Sequence, residues 1–146
     1  MRYNRYPKRD AVKNYFPMPN EIFALGLEGG EILVYTYLMY REDRKTFKCH
    51  PSYKTIGEAV GMSKNTVKKY VNALVQKQLI ETEPTQVTTK NGRKRNGNLR
   101  YTIRPIEEAV RYHFEKQLHK AEEEQARLRR LAALEKYDRK HPKKAV

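Results

Sequence analysis

Residues 53–71, Tyr53-Lys-Thr-Ile-Gly-Glu-Ala-Val-Gly-Met-Ser-Lys-Asn-Thr-Val-Lys-Lys-Tyr-Val71, constrain the fold of this chain more than any other stretch. Two short helical patterns meet there across a break at Gly61-Met62. Gly61 is the residue type that takes the left-handed conformation a tight turn between helices demands. Ser63 then supplies a side-chain oxygen to cap the N–H groups that open the second helix. Ile56, Val60, Met62 and Val67 are spaced to close a small core between the two helices. Gly57 falls where they cross, so a side chain larger than alanine is expected to push them apart.

The second helix divides into two faces. At about 100° per residue, Val67, Tyr70, Val71 and Leu74 share one side, and Lys64, Asn65, Lys68, Lys69, Asn72 and Gln76 share the other. No acidic residue occurs from Ser63 to Gln78. A solvated helix face normally mixes Glu with Lys, because i,i+4 pairs support the helix. A face of cations and amides alone suits a polyanion. Lys reaches guanine acceptors or phosphates, and Asn pairs bidentately with adenine. The two-helix spacing, from Gly57 to Gly61 to Val67, resembles a helix-turn-helix. On that reading Ser63, Lys64, Asn65, Thr66, Lys68, Lys69 and Asn72 are the candidate DNA-binding residues of a recognition helix.

Charge agrees. The 146 residues contain 31 Lys and Arg against 17 Asp and Glu, a formal net charge of +14. The surplus is uneven: residues 1–104 hold 20 cations and 9 acids, residues 105–146 hold 11 and 8. Nucleic acid is the natural partner for the first part. No apolar run approaches a membrane span and no signal-peptide core follows the basic start, so no membrane partner is expected. Cys49 is the only cysteine, which rules out an intramolecular disulfide and fits a reducing, cytoplasmic, nucleoid-associated location.

Taken in order, residues 1–14 are basic, studded with tyrosine and without periodicity. A mobile arm is expected, with Arg2, Arg5, Lys8 and Arg9 available to phosphates or a minor groove. A domain over residues 15–104 follows. Asn20 to Leu25 reads as about one helical turn, and Gly26 to Gly30 as a break. Glu31 to Tyr40 is apolar nearly all round, as in a buried scaffold helix. Residues 41–48 read as a charged loop, after which Ser52 caps the first motif helix. Cys49 and His50 are neighbours, but the other histidines lie far off and zinc wants about four ligands, so no metal or other cofactor is expected.

After the motif, Leu79 to Glu83 begins a strand that Pro84 confines to an edge. Val87 to Thr89 and Leu99 to Ile103 read as two strands of a hairpin whose long tip, residues 90–98, contains Asn-Gly twice. Residues 86–104 hold six cations and no acid. Lys90, Arg93, Lys94 and Arg95 at this tip are therefore candidate DNA contacts, in the manner of a wing. Pro105 opens a last helix over residues 105–141, ahead of a tail at 142–146. Val110, Phe114, Leu118, Ala121 and Leu128 form an apolar stripe too long for so small a domain to cover, which points to a homodimer through this helix. Glu107 with Arg111, Glu123 with Arg127 and Glu135 with Arg139 are spaced to support it as i,i+4 pairs. The fold class expected is mainly α with a small β-hairpin wing (α+β), a winged helix-turn-helix followed by a long C-terminal helix.

Residues 16–104 resemble the winged helix-turn-helix domain at the front of plasmid and phage replication initiators of Gram-positive bacteria. The resemblance rests on Phe16-Pro-Met-Pro-Asn-Glu-Ile-Phe, Gly30-Glu-Ile-Leu-Val-Tyr-Thr-Tyr-Leu, Pro51-Ser-Tyr-Lys-Thr-Ile, Gly61-Met-Ser-Lys-Asn-Thr-Val and Lys77-Gln-Leu-Ile. Its helix-turn-helix part is shared with many bacterial transcription regulators. The resemblance implies that residues 63–72 enter the major groove and the 90–98 tip meets a neighbouring minor groove or backbone. Such initiators usually carry a second domain that engages the replication machinery, where this chain shows a helix. The leading expectation is therefore a sequence-specific double-stranded DNA-binding transcription regulator, with a mobile element as one candidate source. The alternatives are a replication-initiation factor of a plasmid, phage or other mobile element and, from another class, an RNA-binding ribosome-associated protein. The sequence shows no phosphate-cradling Gly-rich loop, nucleophile motif or small-molecule effector site, so no enzyme is expected.

Overall fold

The computed structural model describes residues 15–144. A 3-10 turn, Asn20–Ala24, precedes helix α1 (Gly29–Arg41), strand β1 (Lys48–Cys49), helices α2 (Tyr53–Val60) and α3 (Lys64–Gln76), strands β2 (Ile80–Glu83), β3 (Gln86–Thr88), β4 (Lys94–Asn96) and β5 (Arg100–Ile103), and helix α4 (Ile106–Lys140). Both motif helices start as their sequences dictate. The Ser52 hydroxyl accepts from the Thr55 N–H at 3.1 Å and the Ser63 hydroxyl from the Thr66 N–H at 3.3 Å. Between them Gly61 sits at φ 73°, and its N–H and that of Met62 both donate to the Gly57 carbonyl.

Ile56 and Val67 are wholly buried and Val60 and Met62 pack against them in part. Gly57 is tighter than its sequence suggests. A methyl group there already meets the Met62 carbonyl oxygen, so the limit lies below alanine rather than above it. Val67, Val71 and Leu74 carry α3 into the core, each worth about 1.5–3 kcal/mol of burial.

Helix α1 departs from the reading of a helix buried all round. It begins at Gly29, inside the supposed break, and Gly30 lies directly under the Tyr70 ring. Its buried residues are Glu31, Val34, Tyr35 and Leu38, while Leu33 and Tyr40 are 49% and 62% exposed. A domain this small wraps only one side of its scaffold helix, so the rest of an apolar helix stays in water. The one acid of the helix is the residue that goes inside. Glu31 is 3% exposed and takes both contacts of the Lys77 ammonium, at 2.7 and 3.0 Å, just past the end of α3.

The β structure also differs from the expected single hairpin. β5 lies between β1 and β2 in a three-stranded antiparallel sheet, and β3 pairs with β4 as a separate ribbon. Arg100 to Ile103 therefore faces Glu83 to Ile80, not residues 87–89. Pro84, without an N–H, interrupts the ladder on one side. On the other, Gly97 approaches Thr85 and Val87 so closely that a Cβ would strike both. The Thr85 hydroxyl donates to the Asn98 carbonyl and joins the two tiers. β1 straddles the end of the expected charged loop and was illegible because two residues show no alternation. Its loop is closed by Asp43, whose Oδ1 accepts from the Lys45 N–H at 2.7 Å.

Two compact units divide at Val110 and Arg111, within α4. In the first, Ile106 and Ala109 pack into the core, and Arg104 bonds both to Glu108 and, at 2.7 Å, to Gln78. The second is helix from Arg111 to Lys140, with nearly every residue exposed. None of the three expected i,i+4 pairs, Glu107 with Arg111, Glu123 with Arg127 and Glu135 with Arg139, forms among the described residues; Arg127 instead takes Glu124 at 2.7 Å, and Glu123 lies 3.4 Å from the His119 Nδ1.

Glu42, just past α1, has one oxygen shut away from solvent without a hydrogen-bond partner among the described residues. Burial raises its pKa from the ordinary 4.5, against the opposing charge of Arg44. A carboxyl raised in the folded state binds its proton more tightly there than in the unfolded chain, so it lowers stability above its folded pKa and costs nothing below its unfolded one. Glu42→Gln is accordingly expected to raise the melting temperature at pH 7. That advantage over the parent chain should vanish on acidification below the ordinary carboxylate range. Equal melting temperatures at neutral pH would contradict it.

Candidate nucleic-acid interface

The exposed side of α3 is built by its buried side. With Val67, Val71 and Leu74 fixed in the core, the 3.6-residue repeat turns Lys64, Asn65, Lys68, Lys69, Asn72 and Gln76 outward, and all six are exposed. Among the described residues, none of the three lysines forms an ion pair. Lys69 lies 5.3 Å from the centre of the Tyr70 ring, a cation–π contact on the same helix. Ser63 and Thr66 are less free than their neighbours. Their hydroxyls are bonded to each other at 2.9 Å, and the Ser63 oxygen already caps the helix. Lys77, by contrast, is spent on Glu31 and leaves the set of cations available to a polyanion.

The wing carries its charge differently from a floppy tip. Asn96 to Lys94 pairs with Gln86 to Thr88, and the chain reverses through Lys90, Asn91 and Gly92, the last at φ 74°. The Thr89 N–H donates to the Arg93 carbonyl at 2.8 Å, so the loop is three residues long with a left-handed glycine at its end. Lys90 and Arg93 stand at this turn, whereas Lys94 and Arg95 belong to β4 and point to opposite faces of the ribbon. All four are exposed and, among the described residues, unpaired. Nearer the base two cations share one carboxylate: Glu83 meets Arg100 at 3.3 Å and Lys48 at 3.6 Å. Charge on the wing is therefore concentrated toward its outer end. Arg2, Arg5, Lys8 and Arg9 lie outside the described residues.

No group of three or more His, Cys, Asp or Glu side chains among the described residues could hold a metal ion. No helix among them is long and apolar enough to cross a membrane.

The family model of a helix-turn-helix domain matches residues 25–80, from the turn before α1 to the first residue of β2. No curated protein matches the chain. Among solved structures it is similar to a possible transcriptional regulator from Methanosarcina mazei Go1, at 15% identity and a TM-score of 0.49, over 86% of this chain and 88% of that one. A MarR family transcription regulator from Silicibacter pomeroyi is similar at 17% identity and a TM-score of 0.40, over 98% and 89% of the two chains. Another MarR family regulator gives 15% identity and 0.42, over 84% and 79%. These likenesses are distant, and the fold is read from the matched segment together with the strands that follow it. Two serine-capped helices joined at a left-handed glycine, a scaffold helix behind them and a β-ribbon after them make this a winged helix-turn-helix domain.

Proposed function

We propose that the chain binds double-stranded DNA sequence-specifically and acts as a transcription regulator in the cytoplasm, on the nucleoid. The observation that carries this reading is the acid-free exposed face of α3, which the helix-turn-helix turns outward as one surface. In this geometry the first and middle turns of the second helix reach base edges. Asn65, Lys68 and Lys69 read bases, while the wing cations hold phosphates and set position.

A lost base contact costs about 1–3 kcal/mol of discrimination at one position, whereas a lost phosphate contact weakens all sequences alike. Asn65→Ala and Lys68→Ala are each expected to degrade the consensus recovered from a random duplex library. Arg93→Ala with Arg95→Ala should keep the consensus and lower affinity throughout, with a shallower salt dependence. The reverse assignment of effects would make the wing the reader. Tighter binding to single-stranded or duplex RNA than to the selected DNA would overturn the proposal itself.

The chain works as a homodimer through α4, supported by Phe114, Leu118 and Leu128, which are 59%, 48% and 53% exposed. Beyond Leu128 the apolar residues recur every third position, at Leu131, Leu134 and Tyr137, and so wind off the first stripe around the helix. A partner helix in steady register covers residues 114–128 best. Sedimentation at micromolar concentration should show a dimer for the full chain and a monomer for Phe114→Glu with Leu118→Glu. A monomeric parent chain would sink this part. DNA sites should then contain two half-sites about one helical turn or a multiple apart.

A further inference from the structure

The exposed stripe on α4 is a narrow seam with its own order of sizes and charges. Phe114, Leu118, Ala121, Gln125, Leu128 and Ala132 follow one another at alternating spacings of four and three residues, and all six are exposed. At about 100° per residue they span about 80° of the helix surface. Read outward from Glu123, the seam is matched across its middle. Leu118 and Leu128 stand equally far from that point, as do Ala121 and Gln125, and Phe114 and Ala132. Charge runs unevenly along the same helix. Residues 106–124 hold six acids and three cations, whereas residues 125–140 hold six cations and two acids.

We propose that α4 pairs with α4 of a second copy in antiparallel order, centred at Glu123, with Leu118 of each copy against Leu128 of the other. This rests on the homodimer read above and adds the direction and register of its two helices. Centred there, Phe114 faces Ala132 and Ala121 faces Gln125, so large side chains meet small ones and the layers fill evenly. A parallel pair stacks every residue on its own copy. It crowds Phe114 on Phe114 and leaves gaps at Ala121 and Ala132, and close packing resists both faults. Its one gain is an amide pair between the two Gln125 side chains.

Electrostatics favours the same order. The acidic half of each helix lies along the basic half of the other. At 1.5 Å per residue, Glu115 comes within about 3 Å in height of Arg129 of the second copy, beside the seam. Near the centre Glu122 approaches its own copy, but the same arginine lies only about 7.5 Å further along and draws it off. The two Glu124 carboxylates are each held by Arg127 of their own helix, at 2.7 Å. A parallel pair joins only Glu124 to Arg129 across the seam, and it lays the two basic halves side by side.

Spin labels on the full chain test this, at a concentration where it sediments as a dimer. Cys49, the only native cysteine, is buried and its thiol pKa is pushed up to about 11, so it stays unlabelled. Tyr137→Cys and Glu123→Cys, in separate chains, place the label on the side of α4 away from the seam. Pulsed dipolar spectroscopy is expected to give a separation above about 40 Å at residue 137 and below about 30 Å at residue 123. Separations below about 30 Å at both positions would mean a parallel pair, overturning this order while leaving the homodimer intact. A parent chain that stays monomeric would remove the homodimer and this order with it. Charge reversal gives a second reading. Glu115→Lys should weaken dimerisation by about tenfold, since two attractions become repulsions, and adding Arg129→Glu should restore it. In a parallel pair the second change faces Glu124 and weakens the dimer further. A double variant no tighter than Glu115→Lys alone would therefore also overturn the antiparallel order.

Discussion

Gly57→Ala is expected to cost the domain about 3 kcal/mol, the upper end of what overpacking a single methyl does. The added carbon meets the Met62 carbonyl oxygen, a backbone atom that no rotamer change can move aside. That peptide also cannot swing away cheaply, because the Gly57 carbonyl accepts the N–H groups of Gly61 and Met62 and so holds the turn closed. Relief therefore requires α2 and α3 to separate, which tilts the exposed face of α3 as it loosens the core. Gly61→Ala is the matched control. Its φ of 73° strains any other residue, but nothing lies within 4 Å of the added carbon, so the cost should stay near the 1–2 kcal/mol of a left-handed backbone alone. Urea denaturation gives the comparison, read as a shift in midpoint at constant slope. If Gly61→Ala proves the costlier of the two, the crossing is not as close as the geometry makes it.

Lys77→Met should be nearly as damaging, at about 3 kcal/mol, although Lys77 is at the surface side of its pair. The asymmetry of burial decides this. The Lys77 side chain is 26% exposed and the Glu31 side chain 4%. Removing the lysine strands a carboxylate inside the protein, whereas removing the acid leaves an ammonium that can turn to water. Glu31→Gln should consequently cost clearly less than Lys77→Met. The double change Glu31→Leu with Lys77→Met should recover most of the loss, because apolar replacement of a whole buried pair is often neutral. A double variant no more stable than Lys77→Met alone would mean that the pair organises the packing of α1 on α3 in some further way.

How far the sequence could be read follows the range of the forces involved. The serine caps, the left-handed Gly61 and the two faces of α3 depend on residues within four or five positions of one another, and all of them stand as read. The strand at residues 80–83 and its edge position were legible for the same reason, since Pro84 acts on its own ladder. Strand pairing was not. Val87 to Thr89 looks as good a partner for Leu99 to Ile103 as Ile80 to Glu83 does, because alternation says which residues share a face and nothing about which strand lies alongside. The wing was recognised as a cationic hairpin, but the place of Lys94 and Arg95 in a strand followed only from the break that Gly97 and Pro84 impose together.

The amino-acid sequence by itself determined that this chain makes two capped helices across a tight turn and that one face of the second holds cations and amides with no acid. Those are matters of local geometry and composition, set before any tertiary contact forms. Tertiary structure alone decided which residues of an almost wholly apolar helix are covered. It put Glu31 inside against a lysine 46 positions away, and left Leu33 and Tyr40 in water. It also gathered Tyr35, Glu42, Phe47 and Ile103 around one cavity. No periodicity announces such things, because hydrophobic spacing records how a segment curls, while burial records what the rest of the chain brings to it.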